Sequence, residues 1–284
     1  MKQLLVTKIF FVLFLAFGVS ENTLSASLEA VLAAQPSKVQ ARYTARHPRE
    51  TLEFFGIKSG MTVIEGFPGG GWYSDILSPY LGPDGQLIGA DYALEMYPKF
   101  NFYGDDYLAA KKTWARTWIE ERLSRNGNRG ARTSAFAFGS MTADVEGKVD
   151  AVLLIRALHN LVRFENDGGY LSIALKEIHR ALKPGGVVGV VQHIGPEDGA
   201  DTWLDGSHGY LKKSTVLEFM EKAGYKFVAE SEVNLNTADQ RTEGDIVWRL
   251  PPSLVTSKED PALRKKLESI GETTRMTLLF RKPG

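Results

Sequence analysis

Met61-Thr62-Val63-Ile64-Glu65-Gly66-Phe67-Pro68-Gly69-Gly70-Gly71-Trp72-Tyr73 fixes the architecture of this chain. A short β-branched run follows Gly60, ends in an acid, and gives way to a cluster of glycines. β-Branched residues suit a pleated strand, and glycines suit the tight turn that leaves it. Residues 72–81 then read as the helix that the turn feeds, Gly82-Pro83-Asp84-Gly85 as a second turn, and 86–90 as a second strand. Strand, glycine turn, helix and strand make a βαβ unit, the building block of a parallel sheet covered by helices.

The pattern extends in both directions. Upstream, 27–45 suits short helical segments interrupted at Pro36, His47-Pro48 breaks the pattern, and 49–55 reads as a helix. Downstream, 92–132 reads as helical with an exposed loop. Strands are expected at 134–138, 149–155, 187–191, 226–231 and 275–281, and helices at 170–182 and 214–223. The run at 149–155 is almost wholly apolar, as in strands buried on both faces of a parallel sheet. The polar, proline-punctuated stretch 236–271 reads as an excursion over the surface. The expected fold is therefore α/β: a doubly wound, mostly parallel sheet with helices on both faces. Its domain spans 49–284 and is preceded by a helical segment at 27–48.

Composition narrows the functional classes. Among 284 residues, 43% are hydrophobic and 24% charged, enough apolar content for a sizeable core. Lys plus Arg and Asp plus Glu balance at 34 each, which provides no net field toward a nucleic-acid backbone, so no nucleic-acid partner is expected. Cysteine is absent, which removes disulfides, thiolate metal sites and a cysteine nucleophile. Lys2 and Lys8 border an apolar run from Ile9 to Val19, followed by Ser20, Ser25 and Ala26, a secretory signal pattern over 1–26. The run falls short of the roughly 20 residues of a membrane span, so cleavage, no stable membrane anchor, and a periplasmic or secreted domain are expected.

Chemistry concentrates in the opening stretch. Glycines let backbone N–H groups approach a ligand, and the following helix N-terminus favours an anionic group. Asp91 ends the second strand 20 positions beyond Gly71, where a carboxylate can accept hydrogen bonds from ribose hydroxyls.

Taken together, Glu65 to Gly71, Asp91 and Leu182-Lys183-Pro184-Gly185-Gly186 resemble the class I S-adenosylmethionine-dependent methyltransferases. The Pro-Gly-Gly-Gly-Trp-Tyr run, Arg156-Ala157-Leu158-His159-Asn160 and Phe280-Arg281-Lys282-Pro283 more narrowly resemble a bacterial family of predicted, exported methyltransferases. The resemblance implies S-adenosylmethionine as cofactor, held by Glu65, Gly66, Gly69, Gly71 and Asp91. Two positions depart from the family pattern. Phe67 stands where a small residue is usual, and Phe138-Gly139-Ser140 lacks an adenine-facing acid, leaving Ser140 as the nearest polar substitute.

A substrate side is expected beyond the carboxyl ends of the strands. His159, with Arg156 and Asn160 beside it, follows the fourth strand; His193 follows the fifth, and His208 lies in Asp205-Gly206-Ser207-His208-Gly209. His159 is the first choice to take a proton from a small-molecule acceptor, and Arg156 to hold its carboxylate or phosphate. His208 completes the expected mouth, while Trp72, Tyr73, Trp114, Trp118 and Trp203 are candidates for an apolar lining or for core. The leading expectation is methyl transfer to a small molecule. An exported, non-catalytic binding protein with the same fold is the alternative, and a metal held by His159, His193 and His208 with Asp91, Asp198 or Asp205 is a minor one. The methyl acceptor and the oligomeric state are not legible in the sequence.

Overall fold

The computed structural model describes residues 26–284, so the signal expected at 1–26 lies, but for Ala26, outside the described residues. The strands are β1 (Thr62–Gly66), β2 (Gln86–Asp91), β3 (Arg132–Ala137), β4 (Val149–Ile155), β5 (Leu182–His193), β6 (Lys226–Ser231) and β7 (Arg275–Arg281). They form one sheet in the order β3-β2-β1-β4-β5-β7-β6. The first five are parallel, and β7 runs antiparallel between β5 and β6.

Side chains alternate across this sheet with the period of two that a pleated strand imposes. Ile64, Ile88, Val152, Leu154, Val188 and Val190 face one apolar layer with the helix Tyr170–Ala181. Leu171, Ala174, Leu175 and Ile178 form that helix's buried stripe, spaced as a helix face requires. Val63, Leu87, Ala151, Leu153 and Val191 face the other layer, where the helix Ser74–Leu81 contributes Ile76 and Leu77. Leu28, Val31 and Leu32 of the 27–48 segment join this second layer.

The fifth strand begins at Leu182 and the third at Arg132, both ahead of their expected starts, and a helix Leu158–Arg163 follows β4 unannounced; the largest departure lies in 236–271. Residues 236–271 hold a helix, Pro261–Ile270, capped by Asp260 accepting from Leu263 N at 2.9 Å. Asp at the cap and proline at the first helical position are a legible start signal. The stretch also buries Val247, Leu250, Leu254 and Leu267. The Arg249–Asp239 pair at 2.6 Å is buried with them. Short 3-10 turns and prolines supply no periodicity, which is why the burial was illegible locally. Among the described residues no helix is long and apolar enough to cross a membrane.

Candidate functional site

Two bulky residues end the central strands in the left-handed region. Phe67 after β1 has φ 57° and Arg156 after β4 has φ 60°. Each first extends its strand's ladder, Phe67 N donating to Ala90 O and Arg156 N to Val191 O, both at 2.6 Å. A left-handed conformation costs a non-glycine residue about 1–2 kcal/mol and recurs at binding sites. These two flank the point where strand order reverses between β1 and β4, which opens a crevice at the carboxyl ends. A cavity of about 810 Å³ occupies it.

Glu65, Gly66, Gly69 and Gly70 line one wall; Arg156, His159 and Asn160 line another. Glu65 is buried and accepts from Ser74 Oγ at 2.5 Å. Burial pushes its carboxyl up to about 7, against the smaller opposing pulls of Ser74 and Arg122. Because its folded pKa lies above the unfolded one, Glu65 costs stability progressively as pH rises from 4.5 through 7. The expected loss is on the order of 3 kcal/mol. Denaturant titrations at pH 5 and pH 8 should show that Glu65→Gln gains relative to wild type only at the higher pH. An equal difference at both would mean that Glu65 titrates normally.

The remaining expected cofactor residues lie outside the cavity lining. Gly71 backs the Arg122 guanidinium, whose nitrogens would stand 3.0 Å from a Cβ there, and Arg122 is buried in a pair with Asp75. Asp91 accepts from Lys111 Nζ at 2.7 Å and from Tyr92 N at 2.9 Å. Ser140 is exposed and donates to Ala137 O at 2.6 Å. Its loop is pinned by Glu177, which accepts from Gly139 N at 2.8 Å and Met141 N at 3.1 Å. The Phe67 ring stacks on Tyr92 at 4.3 Å and 22°, and tilts against Phe138 at 5.3 Å. For S-adenosylmethionine, then, the acid and open glycine backbone fit its amino-acid end. The nucleoside side is occupied by the protein's own groups: Asp91, the expected ribose acid, is bound to Lys111, and Phe67 lies against the residues that follow β2 and β3, so a nucleoside enters only where these give way.

The substrate wall differs from expectation in its basicity. His159 is buried, with Nδ1 3.4 Å from Gln192 Oε1, and desolvation lowers its pKa to about 4. The imidazole is neutral at pH 7, but such a weak base gains little from taking a proton. Hydrogen bonding suits such a ring better than the proton abstraction expected of it. His193 Nδ1 lies 2.6 Å from Thr273 Oγ1, and burial lowers its pKa far below the ordinary value. The two rings are 5.9 Å apart, and Trp248 meets His159 edge-on. His208 lies outside the lining, with Nδ1 2.9 Å from Ser207 Oγ. Among the described residues no three histidine or acidic side chains converge on a metal position. Trp72 and Tyr73 line the cavity, whereas Trp114 and Trp118 pack over β2 and Trp203 donates to Asp245 O.

Several wall residues escaped the sequence reading: Arg42 and Arg46 from the 27–48 segment, Glu272 and Thr273 before β7, and Val247, Trp248 and Pro251 from 236–271. The antiparallel direction of β7 explains one group. Arg275, its first residue, pairs with His193, the last of β5, so the residues just before β7 arrive at the carboxyl end of the sheet. Asn160 Nδ2 donates to the Tyr92 hydroxyl at 2.8 Å and ties the two walls together.

No protein-family model matches the chain, and no curated protein matches it. Solved structures do. A proposed sarcosine dimethylglycine methyltransferase from Galdieria sulphuraria is 13% identical, over 89% of this chain and 89% of its own, with TM-score 0.50. A SAM dependent methyltransferase from Aquifex aeolicus is 20% identical, over 70% of this chain and 93% of its own, with TM-score 0.49. The [4+2]-cyclase SpnF is 17% identical, over 84% of this chain and 80% of its own, with TM-score 0.49. The chain has the class I methyltransferase fold, and at such identities the likeness is one of fold alone.

Proposed function

We propose that this protein binds S-adenosylmethionine in the crevice between β1 and β4 and methylates a small molecule there, outside the cytoplasm. One observation carries the reading: a single cavity joins the acid and glycine backbone of the β1 turn to Arg156, His159 and Asn160 after β4. Export is supported by the residue pattern at 1–26 alone. Glu65 and the backbone of Gly66, Gly69 and Gly70 would hold the amino-acid end of the cofactor, which when bound supplies an electrophilic methyl group. The protein's own contribution is then orientation and exclusion of water. Neutral His159 and Asn160 can hydrogen-bond an acceptor, and Trp248 and Pro251 line the same cavity.

A second reading, a binding protein that keeps this fold without catalysis, is favoured by the closed nucleoside side described above. Calorimetry with S-adenosylmethionine and its demethylated product separates the two. Phe67→Gly removes the stacks on Tyr92 and Phe138, each an aromatic pair of about 0.5–1.5 kcal/mol. It should therefore tighten cofactor binding about tenfold or more. Wild-type protein and Phe67→Gly both silent at millimolar cofactor would leave the binding-protein reading standing.

A further inference from the structure

Four arginines share one carboxylate at the edge of the cavity. Glu272, 7% exposed, is hydrogen-bonded by Arg42, by Arg46 Nε at 3.1 Å and by Arg275 at 3.3 Å, with Arg156 at 3.6 Å. Burial alone would raise the Glu272 pKa, but the four guanidinium groups outweigh it and hold the carboxyl below its usual range. The cations are not reciprocally satisfied: the group carries three positive charges more than its acid supplies. Asp239, the other acid acting on Arg275, is already bound to Arg249 at 2.6 Å. Tyr73 and His193 beside the cluster are neutral, since burial raises the phenol and lowers the imidazole.

Hydrogen-bond capacity points the same way. Arg156 makes no hydrogen bond through its guanidinium to any described residue, and its Nε is buried without an acceptor. Among the described residues Arg46 binds Glu272 through Nε alone, leaving its two Nη groups without an acceptor there, while its plane lies 4.6 Å over Trp72. Trp72 Nε1 is likewise buried without an acceptor among the described residues. Clustered, partly desolvated cations with unused donors are costly unless an anion completes them. Planar guanidinium forks match the oxygens of carboxylate and phosphate.

The geometry points to an oxyanion subsite, formed by Arg46 and Arg156 with Arg42 at its rim, that takes the carboxylate or phosphate head of a molecule whose apolar body lies against Trp72, Tyr92 and Trp248. The inference deepens the reading of this cavity as the ligand site and does not depend on the cofactor. Calorimetry on the protein with benzoate, phenyl phosphate and phenol, in low-salt buffer, tests it. At least one of the two anions is expected to bind about tenfold or more tighter than phenol, and which one does so identifies the head group. Arg156→Gln should remove that preference while leaving phenol unchanged, and the rim substitution Arg42→Gln should weaken it without perturbing the fold. Equal affinities for phenol and both anions, or an anion preference retained in both variants, would overturn the subsite. Anion binding without any response to S-adenosylmethionine would sink methyl transfer and leave the subsite intact.

Discussion

Glu272→Ala is expected to lower stability by about 3–5 kcal/mol, because it leaves Arg42, Arg46, Arg156 and Arg275 facing one another around a lost carboxylate. For a domain of this size that is a fall in melting temperature on the order of 10 °C. The pH dependence runs opposite to that of Glu65. The folded pKa of Glu272 lies below the ordinary value, so its contribution is present above that value and fades as the pH falls through the folded one. Glu272→Gln, which keeps the shape and removes the charge, should lose nearly as much. Phosphate added to either variant should restore part of the loss and raise the melting temperature by more than it does in wild type. A melting temperature within about 2 °C of wild type would show that the cluster is held by packing rather than by this charge.

Gly206→Ala carries the other large effect. Gly206 has φ 93°, and a Cβ there would stand 2.2 Å from His159 O and 3.3 Å from Arg163 N. Neither backbone atom can swing aside as a flexible side chain would, so the helix Leu158–Arg163 must shift or the turn must break. Left-handed strain of about 1–2 kcal/mol and overpacking of about 1–3 kcal/mol add to roughly 2–5 kcal/mol. Gly147→Ala is the internal comparison: φ is 65° there, but no atom lies within 4 Å of the added methyl, so only the strain remains. Denaturant midpoints of the two variants should differ accordingly, with ligand affinity lost in Gly206→Ala alone. Matching midpoints would mean that the Gly206 turn yields freely.

These cases also mark how far local sequence carries. The Asp205-Gly206-Ser207-His208-Gly209 run reads as a ligand loop around His208, yet its glycine is there for close contact with the His159 carbonyl. Arg42 and Arg46 belong to no motif read in the sequence, and nothing nearby in the chain announces that Glu272, 230 and 226 positions away, pairs with both. Asp91 has the position of a ribose acid, but Lys111, one helix later, reaches its carboxylate. Phe67 is visibly bulky in the sequence; that its ring stacks on Tyr92 depends on the left-handed turn and on the β1–β2 register.

By itself the sequence determined the doubly wound sheet, the glycine turn after β1 and the crevice beside it. Those follow from the period-two alternation of strands, the helix stripes and the turn residues, all local properties of the chain. Only the tertiary structure decided the arginine cluster around Glu272, the neutral state of His159, the pairing of Asp91 and the part of the cavity wall formed by 236–271. Each depends on the reversed direction of β7 or on burial, and both bring together groups whose separation along the chain leaves no periodic trace.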